Sequence, residues 1–167
     1  MCGIAGVVSN NMRAESMLEH TKKICNGMIH RGPDDEGLAG FNHACIGMRR
    51  LSIIDLSTGH QPFYDRTGQI AIVGNGEIYN YKELYEIAEN ENEPISSSSD
   101  IAIIPFLYKK YSLDFVKLLR GMYAIAIWDN SKQELHLIRD RLGKKPLFYA
   151  LLNDGGMVFG SDRKSVV

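Results

Sequence analysis

The sequence predicts an α+β sandwich, in which stacked sheets carry helices on their outer faces. Three observations lead there. Several short strand patterns are apolar on both alternating faces, residues 122–128 (MYAIAIW) most of all, so those strands must be covered from both sides. Hairpin signals join neighbouring strands, the strongest being Asn153-Asp154-Gly155-Gly156 between two apolar runs. The helical patterns fall into two separate blocks.

The elements follow in order. Residues 3–8 (GIAGVV) are short, apolar and β-branched, a central strand with Cys2 at its mouth. Over residues 15–29 the apolar stripe Met17, Leu18, Thr21, Ile24, Cys25, Met28 and Ile29 marks one face of a helix lying on a core, which makes Cys25 a packing residue. The turn His30-Arg31-Gly32-Pro33-Asp34 ends it. Strands are expected at 37–41 and 44–49, then a long irregular loop at 55–68 and a buried strand at 69–74 (QIAIVG). A helix over 81–88, an exposed connection over 89–94 and helices over 101–111 and 113–119 come next. The last third holds strands at 122–128, 134–140, 146–152 and 157–160. No internal repeat or domain boundary interrupts the chain.

Composition bounds the function. With 167 residues, 44% hydrophobic, 23% charged and a net charge of -1, the chain suits one globular domain with a sizeable core. The basic pairs Lys109-Lys110 and Lys144-Lys145 never extend into a longer run, which argues against a nucleic-acid surface. No apolar run reaches membrane-spanning length and no basic region precedes an apolar core, so the expected compartment is cytoplasmic and reducing. Cys2, Cys25 and Cys45 are odd in number and lack CxxC spacing, and the five histidines are scattered, so neither a disulfide framework nor a bound metal is expected.

Cys2 carries the first chemical signal. A thiol needs a nearby base to become a nucleophile. If Met1 is removed, the α-amine of Cys2 is that base, as in hydrolases with an N-terminal threonine or serine. The plainer explanation is an incidental small residue at a strand end. The second signal is Gly74-Asn75-Gly76-Glu77 after a buried strand: the Asn75 amide and the Gly76 N–H are two donors able to converge on one oxygen, as an oxyanion hole requires. A plain Asn-Gly turn is the alternative. A phosphate loop fits less well, because GNGEIY lacks the third glycine and Glu77 would repel a phosphate.

MCGIAGVV, IHRGPDDEG, MRRLSIIDLSTGHQP, GNGEIYNYKEL, SSD, LRGMYAIAIWD and RDRLGKKPLFYA, in that order, resemble the class II glutamine amidotransferase domain of N-terminal-nucleophile type. RLSIID with GHQP makes the likeness strongest to the glutaminase domain of asparagine synthetase. The resemblance runs from Cys2 to about Ser165 and implies a four-layer αββα sandwich of two mainly antiparallel sheets flanked by helices. It implies Cys2 as nucleophile once Met1 is cleaved, Asn75 and Gly76 as the oxyanion hole, and Arg50 as the clamp for the glutamine α-carboxylate, a task suited to a guanidinium fork. Leu51 and Ile53 match positions whose backbone lines the pocket; Glu77 and Asp100 match the groups that receive the α-ammonium. Plainer roles exist for two of these. Arg50 and Arg49 point to opposite faces of a strand, and one can be simply solvated. Asp100 can cap the helix after it.

The resemblance further implies no cofactor in this domain, with ATP and Mg acting in a synthetase domain or subunit that receives the ammonia. That domain is expected to be absent here, since no SGGxDS-like nucleotide loop is present. The expected partners are L-glutamine and that synthetase, without nucleic acid or membrane, and a homodimer is among the assemblies allowed. Aspartate is the first acceptor to expect, an amidated sugar the alternative. A glutamine-sensing module without turnover and an enzyme acting on another amide are the rival readings. Ile101-Ala102 after Asp100, Gly74 before Asn-Gly-Glu, and GSDRKS near the end depart from the family pattern. HRGPD reads as loop scaffolding and Arg139-Asp140-Arg141 as a structural ion-pair cluster.

Overall fold

The apolar run after Cys2 forms strand β1 (Gly3–Val8), buried from Gly3 to Val7 because it lies in the middle of a sheet. The computed structural model describes residues 1–51, 59–95 and 97–165. After β1 come α1 (Ala14–Gly27), β2 (Asp35–Gly40), β3 (Ala44–Arg50), β4 (Phe63–Tyr64), β5 (Ile70–Ile78), α2 (Tyr81–Asn90) and α3 (Ile104–Tyr111). A 3₁₀ segment (Ser112–Leu118) leads into β6 (Gly121–Asp129), β7 (Glu134–Arg139), β8 (Phe148–Leu151) and β9 (Met157–Gly160).

Among the described residues, the strands form two antiparallel sheets, β2-β3-β1-β9-β8 and β4-β5-β6-β7. Their period of two sorts each strand between layers. Along β5, Ala71 and Val73 face the first sheet while Ile70 and Ile72 face outward. The layer between the sheets joins Ile4, Ile46 and Met48 to the small residues Ala71, Ala124 and Ala126, with Trp128 and Phe159 filling the remaining width. Small side chains on one inner face let the sheets approach while large ones on the other keep the space filled.

The outer layers are helical. Met17, Cys25 and Met28 seat α1 on Ala5, Val7 and Cys45 of the first sheet. On the far side, Leu84 and Ala88 of α2 and Ile104, Leu107 and Tyr108 of α3 cover Ile72, Ile125 and Ile127. The expected αββα sandwich is the observed one. Cys25 is a core residue as its spacing predicts, and burial pushes its thiol up to about 12.

Several boundaries differ. Helix α1 stops at Gly27, and Leu18 and Ile29, expected on its buried face, are largely exposed. The helix expected from residue 101 begins as loose turns and becomes α3 only at Ile104, and the next is a 3₁₀ segment. The loop at 55–68 contains the short strand β4, and residues 52–58 within it lie outside the described residues. Most consequential is β5. It does not stop at Gly74 but continues through Asn75-Gly76-Glu77 to Ile78, paired throughout with β6. An Asn-Gly turn at this point is excluded.

Candidate active site

Antiparallel pairing sets Gly3 opposite Arg49, so Cys2 leaves β1 beside the end of β3, where Arg50 and Leu51 lie. The Leu51 N–H points to Cys2 Sγ at 3.4 Å, and the thiol lies 3.8 Å from the Leu51 carbonyl oxygen. Stacking of the two sheets brings this corner to the middle of β5. Between them lies a cavity of about 440 Å³, lined by Cys2, Arg50, Leu51, Asn75, Gly76, Glu77 and Asp100. That volume suits a small-molecule substrate. Every predicted site residue within the described part of the chain lines this one cavity; Ile53 lies outside the described residues.

Asn75 is 2% exposed, and its Nδ2 is buried without a hydrogen-bond partner among the described residues. Buried donors are almost always paired, so an orphan on a cavity wall is a donor held for a ligand. Gly76 is dictated by close approach: a Cβ there would lie 2.1 Å from the Met122 carbonyl oxygen and 2.6 Å from Tyr123 Cα, so any other residue would push β6 away. The two donors therefore sit on a rigid strand rather than a loop.

The two adjacent arginines divide as their opposite faces require. Arg49 is structural, bonding Glu36 at 3.0 Å and the Gly32 carbonyl at 2.9 Å. Arg50 is 7% exposed and lines the cavity. In the same lining, Asp100 does not cap α3, whose N-cap position is Ile103. Its Oδ2 instead accepts the Ile78 N–H at 2.6 Å, tying the loop to the end of β5. Burial pushes the Asp100 carboxyl above its usual range; the Ile78 N–H opposes this, and the neighbouring Glu77 charge adds to it. A cation placed between Glu77 and Asp100 would relieve that repulsion, while the Arg50 side suits an anion. The walls thus match the two charges of a free amino acid.

Sequence reasoning missed three contributors. Arg31 of HRGPD scaffolds Cys2 directly: its Nε donates to the Cys2 carbonyl at 3.2 Å, holding the residue that carries the thiol. Lys145, 9% exposed, lines the cavity and makes no hydrogen bond or ion pair through its ammonium to a described residue. Gln61 closes another side. Asp140, expected in an ion-pair cluster, is a backbone hub: it accepts N–H bonds from Tyr123 (3.3 Å), Leu142 (3.1 Å), Lys144 (2.9 Å) and Lys145 (3.0 Å). Burial pushes its carboxyl up, but these donors outweigh burial and hold it below the usual carboxylate range. Arg139 closes the same loop by donating to the Lys145 and Gly143 carbonyls. The signals were present in HRGPD, GHQP and RDRLGKKP, but nothing local says which of their residues turns toward Cys2.

An αββα sandwich with a cysteine beside its first strand, and with an amide unpartnered among the described residues and charges of both signs lining the same cavity, fits the family model that the sequence matches. That model, the glutamine amidotransferase domain, covers residues 1–167, and the chain belongs to this family. It is 43% identical over 170 residues to asparagine synthetase [glutamine-hydrolyzing] 2 of Bacillus subtilis, an alignment covering 99% of this chain and 22% of that protein. A putative asparagine synthetase [glutamine-hydrolyzing] 2 of Methanocaldococcus jannaschii is 38% identical, covering 100% of this chain and 35% of the relative. Amidase chry2 of Gibberella zeae is also 38% identical, covering 90% and 24%. This chain therefore spans about a quarter to a third of the length of these relatives. Among solved structures, glutamine phosphoribosylpyrophosphate amidotransferase from B. subtilis superposes with a TM-score of 0.80 at 21% identity, over 98% of this chain and 42% of that one, which supports the fold.

Proposed function

We propose that this chain hydrolyses the side-chain amide of L-glutamine to glutamate and ammonia. The observation that carries the reading is the buried Nδ2 of Asn75, unpartnered among the described residues, on the wall of the cavity that holds Cys2. Met1 lines that cavity too, and its removal turns the Cys2 nitrogen into a free amine. The amine takes the thiol proton, and the thiolate attacks the glutamine carboxamide carbon. Asn75 Nδ2 and the Gly76 N–H hold the oxygen of the tetrahedral adduct, where charge develops. The C–N bond breaks as the amine's proton passes to the leaving nitrogen, giving ammonia and a γ-glutamyl thioester. Water, deprotonated by the same amine, attacks the thioester; the S–C bond breaks and sulfur regains the proton.

Arg50 receives the α-carboxylate, the Leu51 backbone borders the nucleophile, and Glu77 and Asp100 receive the α-ammonium. The names of the asparagine synthetase relatives support delivery of the ammonia to an ATP-dependent amidation, with aspartate as acceptor, in a synthetase domain or subunit. The proposed compartment is the cytoplasm, which suits the free cysteines Cys2, Cys25 and Cys45; among the described residues no helix is long and apolar enough to cross a membrane. The test is labelling with 6-diazo-5-oxo-norleucine, an electrophilic glutamine mimic, with ammonia release followed in parallel. An adduct on an N-terminal Cys2, and loss of turnover in Cys2→Ala with the fold intact, are expected. Near-normal turnover in Cys2→Ala refutes the mechanism. Saturable glutamine binding without ammonia release would assign the chain as a sensing module.

A further inference from the structure

Gln61 is 5% exposed and lines the cavity, and its side chain performs a task normally left to backbone. Strand β4 pairs with β5 only at Phe63–Ile72 and Tyr64–Ala71. Two residues further along that register, Gln61 falls opposite Gly74. Its side-chain amide makes both bonds a strand would make there. Nε2 donates to the Gly74 carbonyl at 3.2 Å, and Oε1 accepts the Gly74 N–H at 2.7 Å. Gly74 is the residue immediately before Asn75.

The main chain of Gln61 sits close against the other sheet. A Cβ on Gly37 of β2 would lie 1.7 Å from the Gln61 carbonyl oxygen and 3.0 Å from Pro62 Cδ, so Gly37 leaves room for this turn to sit against the strand. Gln61 thus touches β2 of the sheet that carries Cys2 and β5 of the sheet that carries Asn75. It spans the gap across which nucleophile and amide donor must be aligned.

We propose that Gln61 is a positioning residue for the oxyanion hole: its amide replaces a missing strand at Gly74, so that the unpartnered Asn75 amide is held in place before substrate arrives. This deepens the glutaminase reading and rests on it. Asn75 serves only the tetrahedral species, whereas ground-state glutamate is held by its α-groups. Loss of Gln61 therefore weakens tetrahedral adducts without weakening ground-state binding.

The full chain, freed of Met1, is compared with Gln61→Met, which keeps the shape of the side chain and removes both hydrogen bonds. Two inhibition constants against glutamine hydrolysis are measured. One is for L-glutamate. The other is for the aldehyde analogue of glutamine, whose carbonyl carbon takes the Cys2 sulfur and whose oxygen becomes the tetrahedral oxygen of a thiohemiacetal. The expected result is about 10²-fold weaker inhibition by the aldehyde, a matching fall in kcat, and a glutamate constant within about threefold of wild type. An aldehyde constant unchanged in Gln61→Met overturns the inference while leaving the glutaminase reading intact. Equal weakening of both inhibitors also overturns it, since the amide would then hold the pocket as a whole. A wild-type chain that releases no ammonia removes the reading and the inference together. Should Gln61→Met not fold, Gln61→Asn, whose amide is too short to reach both atoms of Gly74, is expected to show the same selective loss.

Discussion

Replacing Asn75 by alanine deletes a donor that is buried and has no hydrogen-bond partner among the described residues. Holding such a group out of water costs about 1–3 kcal/mol, which the substitution recovers. Against that stands the small void left by a truncated side chain that is 2% exposed, worth on the order of 1–2 kcal/mol from cavity costs in cores. The two nearly cancel, so stability should change by no more than about 1 kcal/mol, a Tm shift of roughly 2–4 °C for a chain of this size. Activity should not share this compensation. Removing one oxyanion donor lowers kcat by about 10²–10³, equivalent to ~2.7–4 kcal/mol of transition-state stabilisation. Ammonia release under saturating glutamine and thermal unfolding of the same sample measure both. A variant that loses more than about 3 kcal/mol of stability yet keeps kcat within about twofold would refute the reasoning, because Asn75 would then be a structural residue.

Arg50→Lys should raise KM for glutamine by roughly tenfold or more with a smaller change in kcat, since a point charge replaces a bidentate fork on a group that does not react; steady-state kinetics check this. Asp100→Asn should raise Tm at neutral pH while weakening glutamine binding, read by thermal scans across pH and by titration. The sign follows from its raised carboxyl: what Asp100 contributes to stability is fully present below the ordinary carboxylate range and lost as pH rises through the folded value. Asp140 has the opposite sign, its carboxyl held low by backbone donors, so its contribution is present above the ordinary carboxylate range and lost as pH falls through the folded value. Asp140→Ala strands four N–H groups and should cost roughly 3 kcal/mol or more in denaturant unfolding, with a flatter dependence on acid pH than wild type.

The order and type of the elements were legible because each strand carries a period of two and each helix a one-sided stripe, patterns that survive whatever packs against them. Helix ends were read less well. The segment after Asp100 starts as loose turns, because its carboxylate serves the end of β5 instead of capping α3. That Cys2, Arg50, Asn75, Gly76, Glu77 and Asp100 share one cavity was legible through ordered motifs, each naming a residue type suited to the role proposed for it. What the letters alone determined was thus the layers of the sandwich and this one set among the residues of the site. Tertiary structure decided how that site is held. Adjacent arginines on one strand are equivalent until β2 offers Glu36 to one of them and the cavity receives the other. The strand through Asn75 is indistinguishable from a turn until β6 pairs with it to Ile78. Arg31, Gln61 and Lys145 look like ordinary loop residues until the fold sets Arg31 against Cys2 and brings Gln61 and Lys145 to the wall of its cavity, from 29, 59 and 143 positions away along the chain. Contacts at such separations leave no periodic trace in the chain, since they are made by the packing of one sheet on the other and not by any local preference of the residues themselves.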